Sequence, residues 1–127
     1  MDFQSDTAFQ HRITAYGPGW IEVDGERQNS SLLLSSKTGI LSWPYPRFDT
    51  LDEQAFSQLL QYRPQIIVFG SGSQLRFPRP TWIKALIQQQ IGVETMDLYA
   101  ACRTYNILAS EGRNTIFAAL IESPDTP

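Results

Sequence analysis

The residues best suited to chemistry gather in the second half of the chain. Phe69-Gly70-Ser71-Gly72-Ser73 closes an apolar run beginning at Gln65, and α/β sheets take ligands where a strand ends. Glycines there let backbone N–H groups approach a phosphate or carboxylate. The match to a dinucleotide fingerprint is poor. Leu75 stands where G-x-G-x-x-G needs its third glycine, and the next helix opens only near Pro80. No Gly-Lys-Ser/Thr follows, so the Walker pattern is absent. A tight turn with close chain packing explains the glycines without a ligand. Arg76 and Arg79 follow the loop directly, and Arg103 and Arg113 lie in later loops or helix ends. Guanidinium forks suit bidentate anion contacts. Surface pairing with Glu94, Asp97 or Glu111 is the plainer use of each.

Cys102 falls near the start of a helix with Arg103 beside it, and both features lower a thiol pKa. A nucleophile also needs a base or orienting group. The only histidine, His11, is on a distant strand. The plainer reading of Cys102 is a small buried hydrophobe. Among the acids, Asp49, Asp52 and Glu53 cluster at a helix start, where capping explains them. Asp97 ends a strand and suits either a ligand or the next helix N-terminus. Trp43-Pro44-Tyr45-Pro46-Arg47-Phe48 is of another kind. Trp, Tyr, Phe and Arg are interface anchor types, and the prolines keep the backbone extended. The segment reads either as a recognition surface or as a plug closing the sheet end with Trp43 and Phe48.

The elements that position these residues differ between the halves. Up to about Trp43 the chain reads as short strands. His11–Tyr16 is followed by a Gly17-Pro18-Gly19 turn, and Trp20–Val23 meets Glu26–Gln28 across Asp24-Gly25, a strong hairpin signal. Ser31–Ser35 holds Leu32-Leu33-Leu34, a strand covered on both faces, and Thr38-Gly39 turns the chain. After that, strand and helix alternate. Thr50-Leu51-Asp52-Glu53 has the form of a capping box with Thr50 as the cap, opening a helix from Leu51 to about Tyr62. Pro64 stops it. Gln65–Phe69 is a buried strand. Pro80 starts a second helix whose buried stripe is Trp82, Ile83, Leu86 and Ile87. Gly92 is placed as its left-handed C′ residue. Val93–Asp97 is a strand, and Asp97 caps a third helix from about Tyr99 to Ser110, closed by Gly112. Asn114–Ile121 is the last strand. This order predicts a three-layer α/β sandwich: a mixed, mainly parallel central sheet, an N-terminal antiparallel β-hairpin extension, and helices on both faces.

Composition sets the outer limits. With 127 residues, 42% hydrophobic and 18% charged, the chain builds one globular core without needing a staple. The expected organisation is a flexible N-terminus over 1–10, one domain over 11–122 and a flexible tail over 123–127. A single cysteine excludes a disulfide framework and multi-cysteine metal sites, and a single histidine excludes H-E-x-x-H. No cofactor or metal is implied. A net charge of −3 argues against general nucleic-acid binding. The start, Met1-Asp2-Phe3-Gln4-Ser5-Asp6, lacks the cations of a secretory signal or transit peptide. The apolar runs Gln65–Gly70 and Thr115–Ile121 are too short to span a bilayer. The expected location is the cytoplasm, with peripheral membrane association compatible.

The third helix carries more than a cap. Met96-Asp97-Leu98-Tyr99-Ala100-Ala101-Cys102-Arg103-Thr104-Tyr105-Asn106-Ile107-Leu108-Ala109-Ser110-Glu111-Gly112-Arg113 closely resembles the signature of a small family. It includes the mitochondrial respiratory complex I assembly factor 3 and uncharacterised bacterial and archaeal proteins. Tyr16-Gly17, Gly70-Ser71-Gly72 and Gly92-Val93-Glu94 extend the resemblance over about His11 to Leu120. Ser71 stands where the family usually has Thr. The resemblance implies a three-layer α/β sandwich around a mixed sheet. It implies no reaction. It does imply protein partners, since the mitochondrial relative binds another assembly factor and early complex I subunits at the inner membrane. Without a transit peptide, this chain looks bacterial. The leading expectation is a non-enzymatic accessory protein aiding assembly of the respiratory NADH–quinone oxidoreductase, with Trp43, Tyr45, Arg47 and Phe48 touching a respiratory subunit or an assembly factor. The alternative is an anion- or nucleotide-binding protein or enzyme using Gly70, Ser71, Gly72, Arg76, Asp97, Cys102 and Arg103. A homodimer through exposed strands is a third expectation.

Overall fold

The computed structural model describes residues 11–123. Of the expected flexible ends, 1–10 and 123–127, only Ser123 falls among them; the others lie outside. Three short strands, β1 (Ile13–Gly17), β2 (Trp20–Val23) and β3 (Glu26–Gln28), form an antiparallel sheet in the order β1-β2-β3. At the β2–β3 turn Asp24 and Gly25 both have positive φ, 51° and 86°, as the Asp-Gly signal requires. The other five strands are β4 (Leu32–Ser35), β5 (Gly39–Ser42), β6 (Ile66–Gly70), β7 (Gly92–Met96) and β8 (Thr115–Ala119). They form one sheet in the order β5-β4-β8-β6-β7. β6 runs parallel to β7 and β8, and β4 runs antiparallel to β5 and β8. The central sheet is therefore mixed, with parallel and antiparallel pairings in balance. The N-terminal antiparallel unit is a sheet of its own.

Side-chain alternation divides the core in two. Leu32, Leu34, Val68, Phe117 and Ala119 face one way, and Leu33, Ile67, Phe69, Ile116 and Ala118 face the other. The first face is covered by the small sheet, through Ile13, Ile21 and Val23, and by helix α3 (Leu98–Ser110). The second is covered by α1 (Glu53–Ser57), by its 3-10 continuation (Gln58–Tyr62) and by α2 (Pro80–Gln88). These are the three layers expected from the sequence. The leucine triplet is buried throughout because β4 lies inside the sheet with both faces covered.

Three local details differ from expectation. The first helix is capped by Asp52, whose carboxylate accepts from Ala55 N–H at 2.9 Å. Thr50 instead closes a preceding 3-10 turn, donating to Arg47 O at 2.6 Å. Leu51 lies between them in extended backbone and is buried, so the helix starts only after it. The left-handed residue after α2 is Gln90, φ 61°, not Gly92, which starts β7. Ile91 folds back into the core as its N–H donates to Leu86 O at 3.0 Å, which draws the turn two residues earlier. Ile87 is exposed rather than part of the α2 stripe, which reduces to Leu86 with half-buried Trp82 and Ile83. The Asp97 cap forms as expected, accepting from Ala100 N–H at 3.0 Å, and Gly112 takes a φ of 75° after α3.

Candidate functional site

A cleft of about 680 Å³ opens at the carboxyl ends of β6 and β7, where parallel strands deliver their loops. Gly70 ends β6 in close contact with α3. A Cβ there would meet Ala101 Cβ at 3.0 Å and Leu98 Cδ1 at 3.2 Å. Ser71 is fully buried. Its hydroxyl donates to Gln74 O at 2.7 Å and accepts from Arg76 N–H at 2.9 Å, so it closes the loop rather than facing a ligand. Gly72 carries φ +93°, and a Cβ there would stand 2.7 Å from both the Arg76 guanidinium and Glu122 Oε1. That position admits no side chain without strain.

The cleft charges are paired. Arg76 donates to Ser71 O at 2.7 Å and to Glu122, and its guanidinium lies 4.8 Å from the Phe48 ring centre. The other Glu122 oxygen accepts from Phe48 N–H at 2.9 Å. Glu122 thereby holds the glycine loop and the aromatic–proline segment to the end of β8. On the rim, Arg47 and Asp49 pair at 3.1 Å, both exposed. Across the cleft, Tyr99 stacks on Tyr16 at 4.9 Å, and Arg103 donates to the Tyr16 hydroxyl at 2.8 Å.

The two sequence-derived groups thus meet in one place, though not as whole sets. Arg47, Phe48, Gly72 and Arg76 line the cleft. Gly70, Ser71 and Asp97 do not line it: Gly70 packs on α3, Ser71 closes the loop and Asp97 caps α3. Arg103 lies outside it, donating to Tyr16, which stacks on the lining residue Tyr99. Cys102 points into the core beside Tyr105 and Phe117. Burial pushes its thiol up to about 12, against the pull of Arg103 and with a further push from Asp97. His11 lies with Asp24 at 3.6 Å. Trp43 is 1% exposed and donates its indole N–H to Ala55 O at 3.0 Å. Its ring meets Tyr45, Phe56 and Phe69 edge-on. Burial, helped by Asp52, raises the Tyr45 phenol above its ordinary value.

Sequence reasoning missed Glu122, Tyr99 and the Gly17–Gly19 turn as cleft residues. Glu122 had a signal: it is the first acid after the β8 run, and β8 runs parallel to β6. Parallel neighbours end on the same side of a sheet, which puts Glu122 beside the loop that carries Arg76.

The layers, the mixed sheet and this cleft define a small single-domain α/β protein whose loops converge at the carboxyl ends of its parallel strands. The chain belongs to the family described as a protein of unknown function (DUF498/DUF598), whose model matches residues 13–121. It is 31% identical over 123 residues to the bovine NADH dehydrogenase [ubiquinone] 1 alpha subcomplex assembly factor 3, covering 95% of this chain. It spans 66% of that protein's length, and 60% of its mouse counterpart's. An uncharacterised Rhodobacter capsulatus protein is 30% identical over 115 residues, with 88% and 85% of the two chains covered. A Bordetella parapertussis crystal structure superposes with a TM-score of 0.82 at 33% identity, covering 87% of this chain and 95% of the other. The Mth938-like domain of Bordetella pertussis gives 0.78 at 28%, covering 92% and 89%. Among the described residues, no helix is long and apolar enough to cross a membrane.

Proposed function

We propose that the chain is a non-enzymatic accessory protein, acting through protein contacts in the assembly of the respiratory NADH–quinone oxidoreductase. The observation that carries this reading is the likeness to assembly factor 3 along 95% of the chain. The geometry supports it. The Arg76–Glu122 and Arg47–Asp49 pairs are already matched, and the Cys102 thiol is buried and held neutral. The contact region is the cleft rim, where Arg47 is exposed and Phe48 and Tyr45 are half-buried. The test is affinity capture on the tagged full chain from cross-linked source cells, membrane fraction included, against an unrelated tagged control. Enrichment of oxidoreductase subunits or a second assembly factor is expected, weakened by Arg47→Glu. A capture no different from the control overturns the reading.

A second reading, small-anion binding, is favoured by the cleft itself, whose size falls within the roughly 300–1,000 Å³ of ligand sites. A native-state ligand raises the melting temperature. Inorganic phosphate, short carboxylic acids and nucleotides are the probes, with Arg47→Glu removing the shift.

A further inference from the structure

From Ser73 to Ile91 the chain carries three cations, Arg76, Arg79 and Lys84, and no carboxylate, in a protein of net charge −3. In the loop before α2, exposed and buried or half-buried residues alternate from Leu75 to Arg79. Arg76 turns in to Glu122 and Pro78 is buried, while Leu75 and Phe77 are 53% and 68% exposed. Pro78 continues into a shallow groove with Pro80, Ile83, Lys84 and Ile87, the last being 55% exposed. Arg79 and Lys84 are exposed and have no carboxylate partner among the described residues. The Arg79 guanidinium rests on the Trp82 ring, 5.6 Å from its centre.

We infer that this face is a docking site for an acidic, amphipathic segment of a partner protein, its apolar side chains against Phe77, Ile83 and Ile87 and its carboxylates on Arg79 and Lys84. The inference rests on the reading that the chain works through protein contacts, and adds a second contact surface, separate from the cleft rim, with its chemistry. Charge decides the kind of occupant: an apolar strip edged by free cations matches apolar residues edged by carboxylates. A membrane surface is the weaker match, because polybasic lipid sites use clusters of about four to eight cations, and only two here are unpaired.

The test places the photo-cross-linker p-benzoyl-phenylalanine at position 77, and separately at 87, of the full chain in source cells. A control carries it at Lys37, an exposed residue of the β4–β5 turn, at the opposite edge of the sheet from β7. Adducts at 77 and 87, absent at 37, should map by mass spectrometry to an acidic amphipathic segment of another protein. Arg79→Glu with Lys84→Glu should cut their yield about tenfold, the size expected when central contacts are lost, and added salt should weaken them. Melting temperatures of the variants confirm that the fold is intact. Adducts with lipid, or flotation on phosphatidylglycerol vesicles that the double reversal abolishes, overturn the inference in favour of a membrane. Adducts with a second copy of this chain, with a basic segment, or with none also overturn it, as does indifference to charge reversal. The two readings fail separately. Capture of oxidoreductase subunits that the double reversal leaves unchanged removes this surface and leaves the assembly role. An acidic adduct on a protein that is neither an oxidoreductase subunit nor an assembly factor, with capture no different from the control, keeps the surface and removes the role.

Discussion

Two segments of this chain have nearly the same composition and opposite fates. Trp43-Pro44-Tyr45-Pro46-Arg47-Phe48 and Arg76-Phe77-Pro78-Arg79-Pro80-Thr81-Trp82 each combine aromatics, prolines and arginine. The first turns its largest ring fully inward, leaving Trp43 1% exposed; the second half-buries Trp82 against Phe48 and Phe56 but turns Phe77 outward at 68%. What differs is the backbone that delivers them. Trp43 follows β5 directly at the sheet edge, where α1 and β6 present Phe56 and Phe69. Phe77 follows a loop tied shut by Ser71 and by the inward Arg76, and alternation leaves the neighbours of Arg76 outside. Residue types that anchor interfaces are also those that fill cores, so composition alone does not separate the two.

The largest test of this contrast is Trp43→Ala. Removing a fully packed ring together with its bond to Ala55 should cost about 3–5 kcal/mol, read from urea denaturation. A loss under about 1 kcal/mol would mean that the first segment is no more core than the second.

A second test moves to the other face of the sheet and uses pH. Burial raises the thiol of Cys102 from about 9 to about 12, and raises Tyr105 above its ordinary value. Each group stays protonated in the fold at pH values where the unfolded chain has lost the proton. The Cys102 contribution is whole below pH 9 and is lost as pH rises towards 12, and that of Tyr105 begins and ends at higher pH. Urea midpoints should fall steadily above pH 9, and Cys102→Ala should flatten the fall. An unchanged slope would place the thiol in contact with water.

Next in size is the helix start that follows the first segment. Asp52→Ala should cost about 1 kcal/mol through the lost cap, and less than half of that would return the cap to Thr50. Smallest is Phe77→Ala, which should change stability by less than about 0.5 kcal/mol while reducing cross-linking at the groove. A large melting shift would make Phe77 part of the core.

Much of the fold was legible in the sequence. The Asp-Gly hairpin, the doubly covered leucine triplet, the Asp97 cap and the strand–helix alternation after Thr50 depend on local rules and appear as read. What was not legible depends on neighbours distant in sequence. The cap moved to Asp52 because Leu51 is drawn into the core, and the left-handed turn moved to Gln90 because Ile91 is. The balance of strand directions follows from β4 docking beside β8, which no local pattern records. Of the candidate site residues, Gly72, Arg76, Arg47 and Phe48 share one cleft. The partner that joins them, Glu122, lies 46 residues from Arg76 and 74 from Phe48, beyond any spacing rule.

The position of β8 has a consequence for the chain as it is made. It sits in the middle of the five-stranded sheet, between β4 and β6, yet is the last of the five to leave the ribosome. Before it arrives, the β4–β5 hairpin and the β6–β7 unit are two separate pieces, each with an unpaired strand edge and uncovered apolar faces. Pairing β4 with β8 joins Leu32 to Ala119, a closure that late long-range contacts make slow. A nascent chain stopped before Thr115 is therefore a ligand for holding chaperones and prone to edge-to-edge association. Release of β8 converts it in one step to a sheet whose two halves are joined.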